Sequence, residues 1–168
     1  MTTVRALDPV VADDLALGLA LLDEYILYTY DEMRAASFAT DLDLEHLREI
    51  IADHAVFAER YSRPSGAFLV IESEAGDAAG CVGLSRYADD ECEMNRLFIR
   101  QGHQGSGLGR LLTAASLDHA RALGYRRMVL EVVPYRTRAI ALYRSLGFVD
   151  HEQLHDYPFE VVALARDL

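Results

Sequence analysis

The sequence Gln104-Gly105-Ser106-Gly107-Leu108-Gly109 places three glycines within five residues. The preceding residues, 93–100, mix apolar and polar side chains as a half-buried strand does, and apolar residues recur at helical spacing afterwards, as far as Leu123. The stretch therefore predicts a strand, a glycine-rich turn and a helix. Glycines let the backbone approach a ligand closely, and the first N–H groups and the dipole of the helix favour an anion. We expect a phosphate or pyrophosphate to bind at this turn.

Two common nucleotide-binding motifs do not fit this turn. A Walker A loop requires a lysine directly after its second glycine, but Leu108 follows Gly107 and the chain contains no lysine. A dinucleotide-binding loop requires the spacing G-x-G-x-x-G, whereas the glycines here follow G-x-G-x-G. The acidic residue that such a loop needs on the next strand is present only as Glu131, after a long helix.

The turn resembles the loop Gln/Arg-x-x-Gly-x-Gly/Ala that binds the acyl-CoA pyrophosphate in the GNAT N-acetyltransferase superfamily. Residues 139–148, Ala-Ile-Ala-Leu-Tyr-Arg-Ser-Leu-Gly-Phe, resemble a second segment of the same superfamily. The resemblance is close over residues 91–149; upstream, residues 41–61 and 79–84 resemble a bacterial branch more loosely. It implies an α/β (α+β mixed sheet) fold of the GNAT type in one domain, residues 1–168, with about seven mostly antiparallel strands and four helices.

Local patterns place the individual elements. Strands are predicted at Thr3–Leu7, Ala67–Glu72, Ala78–Arg86, Glu91–Ile99, Arg127–Val132, 148–155 and 160–165. Helices are predicted from Asp8-Pro9 to Met33, from Asp41 or Asp43 to Tyr61, from the glycine loop to Leu123, and from Thr137 to Leu146.

The resemblance implies an enzyme that moves an acetyl group from acetyl-CoA directly to a primary amine of a small molecule or peptide. By the same resemblance, the backbone of the strand before the loop pairs with the pantetheine arm and polarises the thioester carbonyl. The expected cofactor-binding residues are Leu97, Phe98, Ile99, Gln104, Gly105, Ser106, Gly107, Leu108, Gly109 and Arg110. A catalytically silent module that senses acyl-CoA is the alternative.

Two residues are candidates for proton transfer. In the superfamily the tyrosine of the second segment, here Tyr143, protonates the departing thiolate; the other interpretation is a core aromatic on one helix face. Glu93 precedes Leu97 by four residues, and an acid is frequent there in this branch, so it is the candidate base. Its other interpretation is a solvent-facing strand residue. Where many members carry an asparagine that contacts CoA, this chain has Arg136, and it stays open whether Arg136 or Arg138 makes that contact.

Residues 151–155, His-Glu-Gln-Leu-His, match the zinc-binding pattern His-Glu-x-x-His. In metalloproteases the pattern is helical, which brings both histidines to one face. Here Gly147 before it and Pro158 after it favour a strand and a turn, which would place the two histidines about 13 Å apart. We therefore expect no metal site, and a zinc metalloprotease is a distant third interpretation.

Composition narrows the partners. The net charge is −11; residues 1–94 contain 20 acidic residues and 6 arginines, and residues 95–168 contain 7 and 10. A basic half suits a polyanionic cofactor and an acidic half suits a cationic acceptor, although an acidic surface that maintains solubility explains the same numbers. Without a basic stripe with aromatics, an apolar run of membrane-spanning length or a signal peptide, we expect neither nucleic-acid nor membrane binding. Cys81 and Cys92 favour a reduced, cytoplasmic protein. A homodimer is left open.

Overall fold

The strands form one mixed sheet in a computed structural model that describes residues 2–51 and 54–168. The strands are β1 (Thr3–Ala6), β2 (Ala67–Glu72), β3 (Ala78–Arg86), β4 (Glu91–Ile99), β5 (Arg127–Val132), β6 (Val149–Asp150) and β7 (Val162–Asp167). The helices in these ranges are α1 (Ala12–Ala35), α2 (Leu44–Ile51), α3 (Phe57–Arg60), α4 (Leu108–Ala122) and α5 (Thr137–Ser145), with a 3₁₀ turn at Gln101–His103. In the order β1-β2-β3-β4-β5-β7-β6, β4 and β5 are parallel and the other neighbours antiparallel. This confirms the predicted mixed fold.

Helices cover both faces of the sheet. A strand can contribute to the core on both faces, because successive strand side chains point to opposite sides. In β2, Leu69 and Ile71 belong to one core cluster, while Phe68 and Val70 belong to another. The first cluster contains apolar residues of α4 and α5, and the second contains apolar residues of α1, α2 and α3. The sheet is therefore the middle of three layers.

The helix predicted between Asp41 or Asp43 and Tyr61 is instead two helices, α2 and α3, so five helices replace the predicted four. Asp43 caps the first of them, since its Oδ1 accepts the N–H of His46 at 2.9 Å. Residues 54–56 form a turn, and residues 52 and 53 lie outside the described part of the chain.

Asp8, where the first helix is predicted to begin, does not cap it. Its Oδ1 accepts the N–H of Val10 at 3.1 Å within a separate turn, and α1 begins four residues later, at Ala12. Asp14, in the first turn of α1, fixes that preceding turn by accepting the N–H of Asp8 at 2.8 Å.

The strand predicted for residues 148–155 is also much shorter. Val149 and Asp150 pair with β7, and the N–H of His151 still donates to the carbonyl of Ala163 at 2.9 Å. The chain then leaves the sheet because the N–H groups of Leu154 and His155 donate to the carboxylate of Glu131, 2.6 and 3.3 Å away, rather than to a neighbouring strand.

Candidate active site

The sheet opens between β4 and β5. The two strands pair only where Glu91–Glu93 face Arg127–Val129, and beyond that point a cavity of about 510 Å³ lies between them. A bulge in β4 accompanies the opening, since the register with β3 shifts between Cys81 and Gly83 and Arg96 has a φ of +55°. A non-glycine residue in this region is uncommon and redirects the backbone. The edges of β4 and β5 that face the cavity can therefore bind an extended ligand.

The glycine loop lies at one end of this cavity, between β4 and α4. Gly105 and Gly107 have φ values of +78° and +85°, which favour glycine. The carbonyl of Gly107 accepts the N–H groups of Arg110 and Leu111, both at 3.1 Å, so intrahelical bonding begins at Arg110. The N–H groups of the first turn before it have no partner within the helix. This is the geometry expected of an anion site.

Five of the ten residues predicted to bind the cofactor line the cavity: Leu97, Phe98, Ile99, Gln104 and Gly109. The other five, Gly105, Ser106, Gly107, Leu108 and Arg110, form the loop and the first turn of α4 beside it. Their contacts with a ligand stay predictions.

Several of the loop's side chains bind the protein itself. The amide nitrogen of Gln104 donates to the carbonyl of Ile99 at 2.9 Å and contacts the hydroxyl of Tyr28 at 3.2 Å. Arg110 donates to Oγ of Ser145 at 2.7 Å, which joins α4 to α5. These bonds fix the loop and leave backbone N–H groups as its principal ligand donors.

Tyr143 lines the same cavity from α5 and is buried. Its ring packs edge-on against Phe148, with centroids 5.8 Å apart. Burial raises the pKa of Tyr143, so its hydroxyl stays protonated at neutral pH and can donate to a ligand atom. The predicted core role and the predicted site role are therefore compatible.

Glu93 lies outside this cavity and lines a second, polar cleft of about 950 Å³ with Tyr87, His155 and Tyr157. Its Oε2 is 2.9 Å from Nε2 of His155, and only 14 % of its side chain is exposed. The carboxylate of Glu93, which accepts a hydrogen bond from the His155 ring, raises the pKa of His155. Glu93 is therefore neither a free surface residue nor an unpaired carboxylate.

The two cavities meet at Asn95 and Arg96, which line both. Asn95 is fixed by side-chain bonds: its Oδ1 accepts from the hydroxyl of Tyr61 at 2.9 Å, and its Nδ2 donates to Oγ of Ser85 at 3.0 Å. A group entering the polar cleft can thus approach a ligand bound in the cavity at this junction.

Glu131 is a site carboxylate that the sequence analysis did not identify. It lines the 510 Å³ cavity from β5, and burial raises its pKa. One oxygen accepts the N–H groups of Leu154 and His155; the other, Oε2, is buried without a hydrogen-bond partner in the described chain. The sequence feature that points to Glu131 is a single acidic residue within the otherwise apolar run Met128-Val-Leu-Glu-Val132, since an acid is rarely buried without a specific reason.

The two arginines left open by the sequence differ in their surroundings. Arg136 donates to the carboxylate of Glu32 at 2.5 and 2.8 Å and to the hydroxyl of Thr29 at 3.0 Å, which ties the start of α5 to α1. Arg138 is exposed and lines the cavity. Arg138 is therefore better placed than Arg136 to meet a phosphate.

The zinc-like segment is not helical, since residues 151–154 are irregular and His155 lies in a bend. Nδ1 of His151 contacts the carbonyl of Glu152 at 2.7 Å, whereas His155 pairs with Glu93. Over residues 2–51 and 54–168, no three histidine, cysteine or acidic side chains come together as metal ligands would. That zinc is absent stays a prediction. Among the helices of the same residues, none is both long and apolar enough to traverse a bilayer.

Comparison with known proteins gives four matches. The pattern of the acetyltransferase (GNAT) family matches residues 28–148, more than half of the chain. An uncharacterized N-acetyltransferase of Schizosaccharomyces pombe is 30 % identical over 146 residues, which cover 86 % of each protein. The fold matches a GNAT-family acetyltransferase of Staphylococcus aureus with a TM-score of 0.76 and 14 % identity, covering 99 % of both chains. It also matches a spermidine N-acetyltransferase of Vibrio cholerae, in complex with CoA and spermine, with a TM-score of 0.64 and 21 % identity, covering 99 % and 95 %.

Proposed function

Because the chain belongs to the acetyltransferase (GNAT) family, we propose that it transfers an acetyl group from acetyl-CoA directly to a primary amine of a small molecule or peptide. The observation that carries this proposal is the opening between β4 and β5. It has the glycine loop at one end, a protonated tyrosine on its wall and a polar cleft that adjoins it at Asn95 and Arg96. The loop would hold the CoA part of the thioester, the tyrosine would act as the acid, and the amine would arrive through the cleft.

Acetyl-CoA would lie along the opening. The N–H groups at the start of α4 would bind the pyrophosphate, because they lack helical partners and lie at the positive end of the helix dipole. The backbone of Leu97–Ile99, on the β4 edge that faces the cavity, would pair with the amides of the pantetheine arm. Arg138 adds a positive charge at the cavity wall, whereas Arg136 is held by Glu32.

The acetyl group would pass directly from the thioester to the amine, without a covalent enzyme intermediate. The neutral amine nitrogen attacks the thioester carbon, and backbone N–H groups of β4 stabilise the resulting oxyanion. The carbon–sulfur bond then breaks, and the hydroxyl of Tyr143 donates its proton to the thiolate. The amine loses a proton to a carboxylate, so the products are an amide and CoA with a free thiol.

Two carboxylates could take the amine proton. Glu93 lines the cleft from which the amine would arrive, and we propose it as the base. Glu131 is the second candidate, because its buried Oε2 has no partner in the described chain and its pKa is raised by burial. Glu93 instead shares its Oε2 with His155. The pH dependence of variants at the two positions distinguishes them, as described below.

The acceptor would bind in the polar cleft, whose lining combines the acidic side chains of Glu59, Glu93 and Asp156 and two tyrosines with Arg60, Arg86 and Arg96. The carboxylates and aromatic rings suit an amine, while the three arginines balance the negative charge of the lining. The spermine in the fold relative from Vibrio cholerae makes polyamines one class to test.

The test is release of CoA thiol from acetyl-CoA in the presence of polyamines, amino acids, amino-containing antibiotics and peptides. Thiol release that depends on one of these classes, with a matching acetamide by mass spectrometry, is the expected result. Tight binding of acetyl-CoA with no turnover on any class would favour the alternative, a silent acyl-CoA sensor.

A further inference from the structure

A small cavity of about 80 Å³ lies behind the inner end of the cofactor cavity. Five residues line both spaces: Tyr25, Arg96, Glu131, Val132 and Arg136. Beyond this shared mouth, the lining is apolar apart from Thr29 and Tyr157. It includes Met33, Leu47, Val133 and Val161. The small cavity therefore adjoins the cofactor space directly.

Two of the three charged residues at the mouth are held by the protein, and the third, Glu131, keeps its Oε2 without a partner in the described chain. Arg136 is paired with Glu32, and Arg96 donates to the carbonyl of Ile51 at 3.3 Å. Both guanidinium groups lie about 5.9 Å from the centre of the Tyr25 ring. These contacts keep the charges at the mouth, and the space behind them is bounded mostly by aliphatic side chains.

The two spaces that adjoin the cofactor cavity differ in chemistry. The cleft lined by Glu93 and His155 is large and polar, whereas the space behind Tyr25 is small and apolar. An amine arrives from water as a cation and requires polar neighbours, because an unpaired charge is costly in an apolar cavity. An alkyl chain gains free energy by leaving water for an apolar space. The polar cleft thus suits the acceptor, and the apolar cavity suits the tail of the acyl donor.

We propose that the small cavity receives the end of the acyl chain, so that the enzyme uses short-chain acyl-CoA donors longer than acetyl-CoA. This inference rests on the proposed function, because it assumes that the thioester lies between Tyr143 and Glu131. A volume of about 80 Å³ corresponds to roughly six water-sized spheres, so acyl chains of about four to six carbons fit and longer ones do not. The reaction is unchanged: the amine takes the acyl group and CoA leaves as the thiol.

Calorimetric titration of the protein with CoA, acetyl-CoA, butyryl-CoA and decanoyl-CoA tests the proposal without knowledge of the acceptor. Each methylene that enters an apolar site strengthens binding about three- to four-fold, so butyryl-CoA should bind about ten-fold more tightly than acetyl-CoA. Decanoyl-CoA should gain nothing further. Equal or weaker binding of butyryl-CoA, with CoA and acetyl-CoA bound, would overturn the inference and leave the proposed function standing. If CoA itself does not bind, the proposed function fails with it.

Filling the cavity provides the matched test. Val161→Phe adds a ring at a partly exposed position in its wall, and the advantage of butyryl-CoA over acetyl-CoA should fall to about one-fold. Val149→Phe adds the same ring on β6, where the wild-type side chain is 65 % exposed, and should keep the ten-fold ratio. Ile50→Phe, which fills the cavity from its α2 side, is the second variant if Val161→Phe does not fold. A folded filled variant that keeps the ratio would contradict the proposal.

Discussion

The proposed cofactor side and the proposed acceptor side of the site are built from different kinds of chemical group. On the cofactor side, one continuous stretch from β4 through the glycine loop to α4 presents backbone N–H groups to the cavity. On the acceptor side, the polar cleft collects side chains from α3, from the β3–β4 hairpin and from residues 155–158. Backbone recognition requires a particular local geometry, which leaves a mark in the sequence. Side-chain recognition depends on tertiary contacts between distant segments, which leaves none.

The largest expected effect concerns Tyr143, on the wall of the 510 Å³ cavity. Tyr143→Phe keeps the buried ring and its packing on Phe148 but removes the donated proton, so turnover should fall on the order of 10²–10⁴-fold at unchanged acetyl-CoA affinity. Tyr30→Phe is the control, since that half-buried tyrosine of α1 lines neither of the two cavities and the loss of its hydroxyl should leave turnover normal. Steady-state kinetics and calorimetry on both variants measure this. A Tyr143→Phe enzyme as active as the control would show that the thiolate leaves without this proton.

A smaller effect is expected from valine at Gly107 and at Gly124, which flank the two ends of α4. Comparing the two variants separates loss of ligand binding from backbone strain. Gly107 and Gly124 have φ values of +85° and +91°, and a Cβ added at either meets no atom within 4 Å. Valine at either position should therefore cost similar stability. Only Gly107→Val should weaken acetyl-CoA binding, by about 10²-fold or more, because it disturbs charge-assisted bonds to the pyrophosphate. Calorimetry and thermal melts on the pair give both numbers. Equal affinities in two folded variants would remove the cofactor assignment.

The pH–rate profiles of Glu93→Gln and Glu131→Gln should identify which carboxylate is the base. If Glu93 is the base, its variant should lose about 10²-fold in turnover at neutral pH, and the loss should shrink toward pH 10 as solution supplies neutral amine. Glu131→Gln should then show a loss that is independent of pH. The reverse pattern in the two pH–rate profiles would assign the proton transfer to Glu131. Acetyl-CoA affinity should be unchanged in both variants, which distinguishes this result from damage to the cofactor side.

A modest effect on stability should follow from the pair His155 and Glu93. Since this pairing raises the pKa of His155 in the folded protein, its contribution is fully present below the ordinary histidine pKa and disappears as pH rises through the raised value. His155→Gln should therefore lower the melting temperature by about 1–3 °C more at pH 6 than at pH 9. Melting curves at the two pH values measure it. A difference that does not depend on pH would leave only packing against Tyr87 and Tyr157 as the role of the ring.

No effect at all is expected from metal removal. Purified, untagged protein should contain far less than one zinc per chain, and a chelator should leave turnover unchanged. Stoichiometric zinc that is lost in His151→Ala would require a different role for residues 151–155.

These contrasts explain what the sequence could predict. The bounds of β2, β3, β4 and β5 agree with the predictions, because alternating side chains and short turns are local signals. Positive φ values at Gly105 and Gly107 agree with the predicted tight loop. The break between α2 and α3 was not predicted, since apolar residues continue at helical spacing on both sides of it.

The site shows the same limit. Tyr143 was selected because its motif is contiguous, and the cavity does contain it. Glu131 was missed because its buried oxygen and its bonds to Leu154 and His155 depend on a segment more than 20 residues away. The pairing of Arg136 with Glu32 spans 104 residues, and that of His155 with Glu93 spans 62. Local sequence carries no signal for contacts of that range.

The short parallel pairing of β4 with β5 also has a mechanical consequence. Strands β1–β4 and strands β5–β7 form two well-paired blocks, and residues 91–93 and 127–129 are where their ladders join. A hinge motion that widened the opening between β4 and β5 would bend the sheet where these two strands join. It would disturb few hydrogen bonds between strands, because the bonds within each block would be kept. The opening in which we propose that the donor binds would thus also be the place where the sheet bends most easily to release CoA.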